Sequence, residues 1–212
     1  MNILGPGQGR RWWGNRPALV RQQSLKADQC LLISTQDYPS LLQGSERQLS
    51  LPVDGQALQQ AIAGYLTNSW LVIEAGTRCL NDSLLLFAGY RLQHPEIQVC
   101  YSDALQGDSV EDAQLLLKPD CNIDLLRSRH YPGEEMLVTG ECIKRYLPQI
   151  SVRHELIFCE LIWQILEHSG PAAVGHLPEA LLRIPERAVK DTHTALRREI
   201  THRHLQRCCS DS

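Results

Sequence analysis

Carboxylates and cations recur in this chain at the ends of apolar runs, where a sheet protein presents side chains to a ligand. Val99-Cys100-Tyr101-Ser102-Asp103 is an apolar run that ends in a carboxylate. Ligands bind at the carboxyl ends of strands in open α/β sheets, so Asp103 is either a ligand-facing group or a turn cap. Leu117-Lys118-Pro119-Asp120 sets a cation and a carboxylate around a proline. The proline fixes the loop, and the two charges either shape a cleft or point to water. Trp70-Leu71-Val72-Ile73 runs into Glu74. One carboxylate with water is a poor magnesium site, because a hard cation takes several oxygen ligands. Glu155 stands in His154-Glu155-Leu156 at the start of a long helical pattern. The helix dipole favours a glutamate there whether or not it reacts. His176 precedes Leu177-Pro178 and is either a packed, hydrogen-bonded ring or a ligand.

Two other groupings are weaker. His193, His202, His204, Cys208 and Cys209 are soft-metal ligand types, but their spacing matches no closed site. Arg197, Arg198, Arg203 and Arg207 would oppose a cation there, so a solvated helix is the simpler expectation. Gly5-Pro6-Gly7-Gln8-Gly9 would cradle phosphate only between a strand and a helix. No strand pattern precedes it, which predicts a flexible tail over residues 1–27.

The elements that position these groups follow from periodicity. Cys30–Ser34 is a short apolar strand. Leu58, Ala61, Ile62, Tyr65 and Leu66 share one helical face, with Asp54 as a cap. Trp70–Ile73 is a continuous apolar strand, as expected when both faces are covered. A helix begins at Asn81-Asp82-Ser83 and stops before Pro95. Ile97–Tyr101 and Met136–Val138 are further strands, and short helices are predicted over 123–129 and 141–147. Residues 153–168 form a long helix with a broad apolar face, ended by Gly170-Pro171. Ala173–Leu177 is a last strand and 186–207 a charged helix. Strands alternating with helices predict an α/β fold, a mostly parallel sheet with helices on both faces.

The chain has 212 residues, a net charge of −3 and a 43% hydrophobic content. That fits one domain with tails, and gives no bulk attraction to nucleic acid. No apolar run reaches the length of about 18 residues that marks a transmembrane helix. Arg10, Arg11 and Arg16 are followed by no apolar segment, so no secretory leader is expected. The eight cysteines then read as thiols in a reducing cytosol.

The ordered motifs resemble those of family-two glycosyltransferases of the GT-A fold, the type that builds O-antigen and other bacterial surface polysaccharides. The resemblance rests on Tyr101-Ser102-Asp103, the acidic loop after it, Lys118-Pro119-Asp120, His130-Tyr131, the helix opening at Glu155, and His176-Leu177-Pro178-Glu179-Ala180-Leu181. It covers roughly Cys30 to Arg187. It implies a GT-A-like, Rossmann-like domain over 28–187, with residues 188–212 as a C-terminal helix and tail. By that resemblance Glu155 is the catalytic base of an inverting sugar transfer. Glu74, Asp103 and Lys118 lie near the donor diphosphate, and Asp120, His130, Tyr131 and His176 line the acceptor cleft.

The departures are as specific. The family's Asp-x-Asp-Asp metal cluster reads Glu74-Ala75-Gly76-Thr77 here. A manganese or magnesium ion would thus have an eroded ligand set, Glu74 and Asp103. The family's first strand has no counterpart in the pattern before Cys30, so the nucleotide-binding half is expected to be truncated. Partners implied are a nucleotide-sugar and a glycan or lipid-linked acceptor, with a protein partner or a second copy covering an exposed sheet edge. The location implied is the cytoplasm, compatible with a peripheral place at the inner membrane. The alternative is a catalytically degenerate binding module.

Overall fold

A computed structural model describes residues 2–7, 23–25, 29–34, 47–50, 55–65, 69–73, 77–80, 82–109, 111–150, 156–185 and 191–210. Glu74 and Glu155 lie outside the described residues. The strands are β1 (Asn2–Gly7), β2 (Gln29–Ser34), β3 (Arg47–Ser50), β4 (Ser69–Val72), β5 (Arg78–Cys79), β6 (Val99–Gln106), β7 (Gln114–Leu116), β8 (Met136–Thr139) and β9 (Val174–Ile184). They form one sheet in the order β3-β2-β1-β4-β8-β6-β9-β5, with β7 paired to β6. The helices are α1 (Gly55–Ile62), α2 (Ser83–Gln93), α3 (Ile123–Ser128), α4 (Gly140–Tyr146), α5 (Ile157–Ser169) and α6 (Asp191–Ser210).

The central strands β4, β6 and β8 bury apolar side chains on both faces because both faces are covered. Side chains alternate sides along a strand. Trp70 and Val72 of β4, Val99 and Tyr101 of β6, and Met136 and Val138 of β8 therefore join the core under α5. Leu71, Cys100 and Leu137 between them join Leu84 and Phe87 of α2 in a second core. Thr139 caps α4 by accepting from Cys142 N–H, and Asn122 caps α3 by accepting from Leu125 N–H. Gly170, at φ 76°, ends α5.

Three expectations change. The sheet is mixed, not mostly parallel. β1–β2, β1–β4, β2–β3 and β6–β9 are parallel, while β4–β8, β6–β8, β6–β7 and β5–β9 are antiparallel. Between β6 and β8 the chain carries only the β7 hairpin and the six-residue α3. No long crossover helix returns it to the starting end, so β8 enters the sheet reversed. Second, Asn2–Gly7, expected in a tail, pair as a strand between β2 and β4. Third, the C-terminal helix is not simply solvated. Ile200 and His204 are buried, and His204 stacks on Trp163 of α5 with ring centroids 4.1 Å apart. Glu167 of α5 accepts from Arg207 at 2.8 Å through two nitrogens and lies 2.8 Å from His204 Nδ1. No helix among the described residues is long and apolar enough to cross a membrane.

Candidate functional site

The β6–β9 pair builds the first part of the site. β9 runs on past Leu177 to Ile184 instead of stopping, because Pro178 and Glu179 are left out of register: Ser102 pairs with Leu177 and Asp103 with Ala180. A bulge is where a sheet tolerates proline. Tyr101 is the partner of His176, and the two rings stack at 5.0 Å with 20° between their planes. Asp103 is two residues further along β6, on the same face as Tyr101. Its Oδ1 lies 2.9 Å from His176 Nε2 and accepts from Lys118 N–H at 2.8 Å.

Asp103 is thus an internal hub, with 4% of its surface exposed. From it the contacts pass outward. His176 Nδ1 lies 3.0 Å from Asp120 Oδ1, and the Asp120 carboxylate is in solvent while the His176 ring is buried. The Lys118–Asp120 segment is held at two further points. Tyr101 donates its hydroxyl to Pro119 O at 2.5 Å, and Tyr131 donates to Asp120 O at 3.0 Å. Tyr131 also accepts from Asn122 N–H at 2.8 Å. Every side chain in this set is aromatic or charged, and each one clamps the same short loop.

Behind that loop is a cavity of about 300 Å³. Its lining includes Leu116, Lys118, Arg129, Tyr131, Gly133 and Glu135. Lys118 donates Nζ to Pro132 O at 2.7 Å, so its ammonium faces this wall and not solvent. Burial pushes the Lys118 ammonium below its ordinary pKa, opposed by the nearby charges of Glu135 and Asp103. Burial likewise pushes Glu135 up, opposed by Lys118 and by Thr77. Thr77 donates its hydroxyl to Glu135 Oε1 at 2.7 Å. His130 lies beside them, with Nε2 3.0 Å from Gly133 O and Nδ1 3.5 Å from Cys159 Sγ. A carbonyl only accepts, so Nε2 carries the proton. Burial drops the His130 pKa to about 4, helped by the Arg197 charge. Arg197 of α6 pairs with Glu134 at 2.6 Å, which ties the C-terminal helix to this wall.

The expected site residues therefore divide. His130, Tyr131 and Lys118 line the cavity. Asp120 and His176 do not line it and are joined to Asp103 instead. Glu74 and Glu155 lie outside the described residues. Glu135 and Thr77 were not singled out from the sequence. The available signal was a glutamate pair directly abutting the apolar run Met136–Val138, since a carboxylate at a strand's edge must be paired to be buried.

A divalent metal does not fit the described residues. Among them no group of three or more His, Cys, Asp or Glu is placed to hold one. The Oδ1 of Asp103 is already engaged by Lys118 N–H and His176 Nε2.

No family model matches the sequence, and no curated protein matches it. Solved structures do. Glucosyl-3-phosphoglycerate synthase from Mycobacterium tuberculosis, in complex with Mn2+, UDP-glucose and phosphoglyceric acid, is similar over 98% of this chain and 79% of its own. The TM-score is 0.62 and the identity 16%. The same enzyme with Mg2+ and UDP matches over 98% of this chain and 78% of its own, at TM-score 0.61 and 16% identity. This chain shares the mixed α/β fold of a nucleotide-sugar-dependent glycosyltransferase.

Proposed function

We propose that this protein is a GT-A-type glycosyltransferase domain that moves a sugar from a nucleotide-sugar donor to a hydroxyl of a glycan or lipid-linked acceptor. The observation that carries the proposal is the fold likeness over nearly the whole chain to an enzyme crystallised with UDP-glucose and phosphoglyceric acid. The position of the clamped Lys118–Tyr131 segment supports it, since that segment stands beside the carboxyl half of β6, where α/β sheets bind ligands.

In this reading the acceptor enters the cavity beside Tyr131, and Glu155 takes the proton of its hydroxyl. That oxygen bonds to the anomeric carbon as the bond to the nucleoside diphosphate breaks, with inversion. Asp103, His176 and Asp120 act by holding the loop. A role in surface-polysaccharide assembly, in the cytoplasm beside the inner membrane, follows from the sequence resemblance and belongs to this proposal. So does a second copy or a protein partner pairing with an edge of the sheet.

One observation favours a second reading, a binding module that has lost catalysis: Asp103 is buried and already hydrogen-bonded, not open to a donor diphosphate. Calorimetric titration with UDP, GDP, dTDP and their sugars, with and without manganese, separates the two. Nucleotide binding supports the transferase, and Glu155→Gln must then abolish transfer. Folded protein that binds none of them leaves the binding module.

A further inference from the structure

The cavity behind the clamped loop opens through an apolar rim. Leu117, in the loop after β7, and Leu125, on α3, both line it, yet 68% and 36% of their surfaces are exposed. Among the described residues only Leu92 is a large apolar side chain more exposed than Leu117. Single leucines on a surface are ordinary, but these two come from different elements and border one opening. Leu116 and Ile184 continue the apolar lining. Arg129, the residue that ends α3, borders the same opening, is exposed, and has no ion pair among the described residues. The neighbouring cations are taken: Arg127 is 3.1 Å from Asp124, and Lys118 is turned onto Pro132 O.

An apolar rim with one unpaired cation is complementary to an amphiphile. The leucines take a hydrocarbon chain out of water, and a guanidinium binds a phosphate through paired N–H donors. Charge argues against a whole bilayer as the occupant. The hairpin leading into β7 carries Asp108, Glu111 and Asp112, all exposed, and an anionic membrane brought against this face would meet all three carboxylates. A single chain seated on Leu117 and Leu125 needs no contact with that hairpin. The rim is also continuous with the cavity, so a polar head joined to the chain through its phosphate reaches the lining beside Tyr131.

We propose that this rim seats the hydrocarbon chain of an amphiphilic acceptor, a lipid-linked sugar phosphate whose phosphate pairs with Arg129 and whose sugar enters the cavity. This rests on the glycosyltransferase reading and selects the lipid-linked class over a free glycan. Leu117, Leu125 and Arg129 bind the acceptor and take no part in the bond exchange.

The test uses the full chain and three probes below their micelle concentrations: methyl β-D-glucopyranoside, octyl β-D-glucopyranoside and octyl phosphate, followed by calorimetry and amide NMR. Each methylene removed from water is worth about fourfold in affinity, so octyl glucoside is expected to bind about tenfold or more tighter than methyl glucoside. Its signals should shift at Leu117, Leu125 and Arg129. Leu117→Ser and Leu125→Ser change exposed positions and should fold; each is expected to remove most of the octyl advantage, while the control Leu92→Ser on α2 keeps it. Arg129→Gln is expected to weaken octyl phosphate about threefold or more and to leave octyl glucoside unchanged. Equal binding of the octyl and methyl glucosides, an octyl advantage that survives both rim variants, or one lost equally in Leu92→Ser overturns the proposal. So does sedimentation with phosphatidylglycerol vesicles that Leu117→Ser abolishes, which would make the rim a membrane contact, or self-association that Leu117→Ser abolishes, which would make it an interface between copies. UDP-glucose titrated in parallel separates the two readings. UDP-glucose binding without a chain preference sinks only the lipid seat. Chain-dependent binding at the rim without binding of any nucleotide sinks the donor reading and retains the lipid seat.

Discussion

Asp103→Ala is the substitution with the most traceable consequence. The Asp103 Oδ1 accepts from the buried Lys118 N–H at 2.8 Å and meets His176 Nε2 at 2.9 Å. Alanine removes the acceptor and leaves both donors under cover. A buried donor left without a partner costs about 1–3 kcal/mol, so the pair together costs about 3 kcal/mol or more. For a chain of this size about 1 kcal/mol corresponds to about 2–4 °C, which predicts a fall in Tm of about 6–12 °C. Asp103→Asn keeps an oxygen at the same place and loses only charge assistance, about 1 kcal/mol or about 2–4 °C. Thermal unfolding followed by circular dichroism measures both, and hydrogen exchange at the Lys118 amide reports the bond directly. That amide should be protected in the wild type and in Asp103→Asn, and should exchange faster in Asp103→Ala. Equal destabilisation by alanine and asparagine, or unchanged protection of the Lys118 amide in Asp103→Ala, would refute the hub.

Two glycines should respond to alanine with opposite signs. A Cβ on Gly55 would fall 2.0 Å from Leu147 O, so Gly55→Ala should push α1 off its backing and destabilise by about 1–3 kcal/mol in urea unfolding. A Cβ on Gly89 meets nothing within 4 Å, so Gly89→Ala should stabilise α2 by about 0.5–1 kcal/mol. His130 is buried neutral, with its pKa lowered to about 4, while the unfolded ring titrates near about 6.5. The unfolded chain therefore binds the extra proton first: this contribution is complete above about pH 6.5 and is lost as pH falls toward 4, by up to about 1.4 kcal/mol per pH unit. Unfolding midpoints measured across that window should fall more steeply for the wild type than for His130→Gln. Among the described thiols, Cys208 and Cys209 are exposed, whereas burial raises Cys79 and Cys100 to about 12. Ellman's reagent should modify the C-terminal pair at once, and Cys79 and Cys100 only at the rate of unfolding.

Much of the fold was legible because its causes are local. The continuous apolar run Trp70–Ile73 marked a strand covered on both faces, and Trp70 and Leu71 indeed enter opposite cores. Gly170-Pro171 marked the end of α5, and Pro95 lies just beyond α2. β9 was underestimated because Pro178 reads as a strand stop. Only its neighbour β6 shows that the proline occupies a bulge. β8 was located, but its direction was not, since strand direction depends on the connection and leaves no trace in the strand's own residues. His204 read as a solvated residue on a charged helix, and its burial depends on Trp163, far away in sequence.

The candidate site follows the same division. Sequence alone determined which residue types stand at the strand ends: Asp103 closing an apolar run, Lys118 and Asp120 about a proline, His130 beside Tyr131, His176 before Leu177. Apolar alternation, capping and proline chemistry act over a few residues and can be read there. Tertiary structure decided what those residues do. It set His176 against Asp103 across 73 positions of chain and Thr77 against Glu135 across 58. It turned Lys118 inward onto Pro132 O, in the lining of the cavity. A hydrogen bond or a buried charge depends on what lies within a few ångströms, and the register of β6 on β9 is what sets His176 against Asp103.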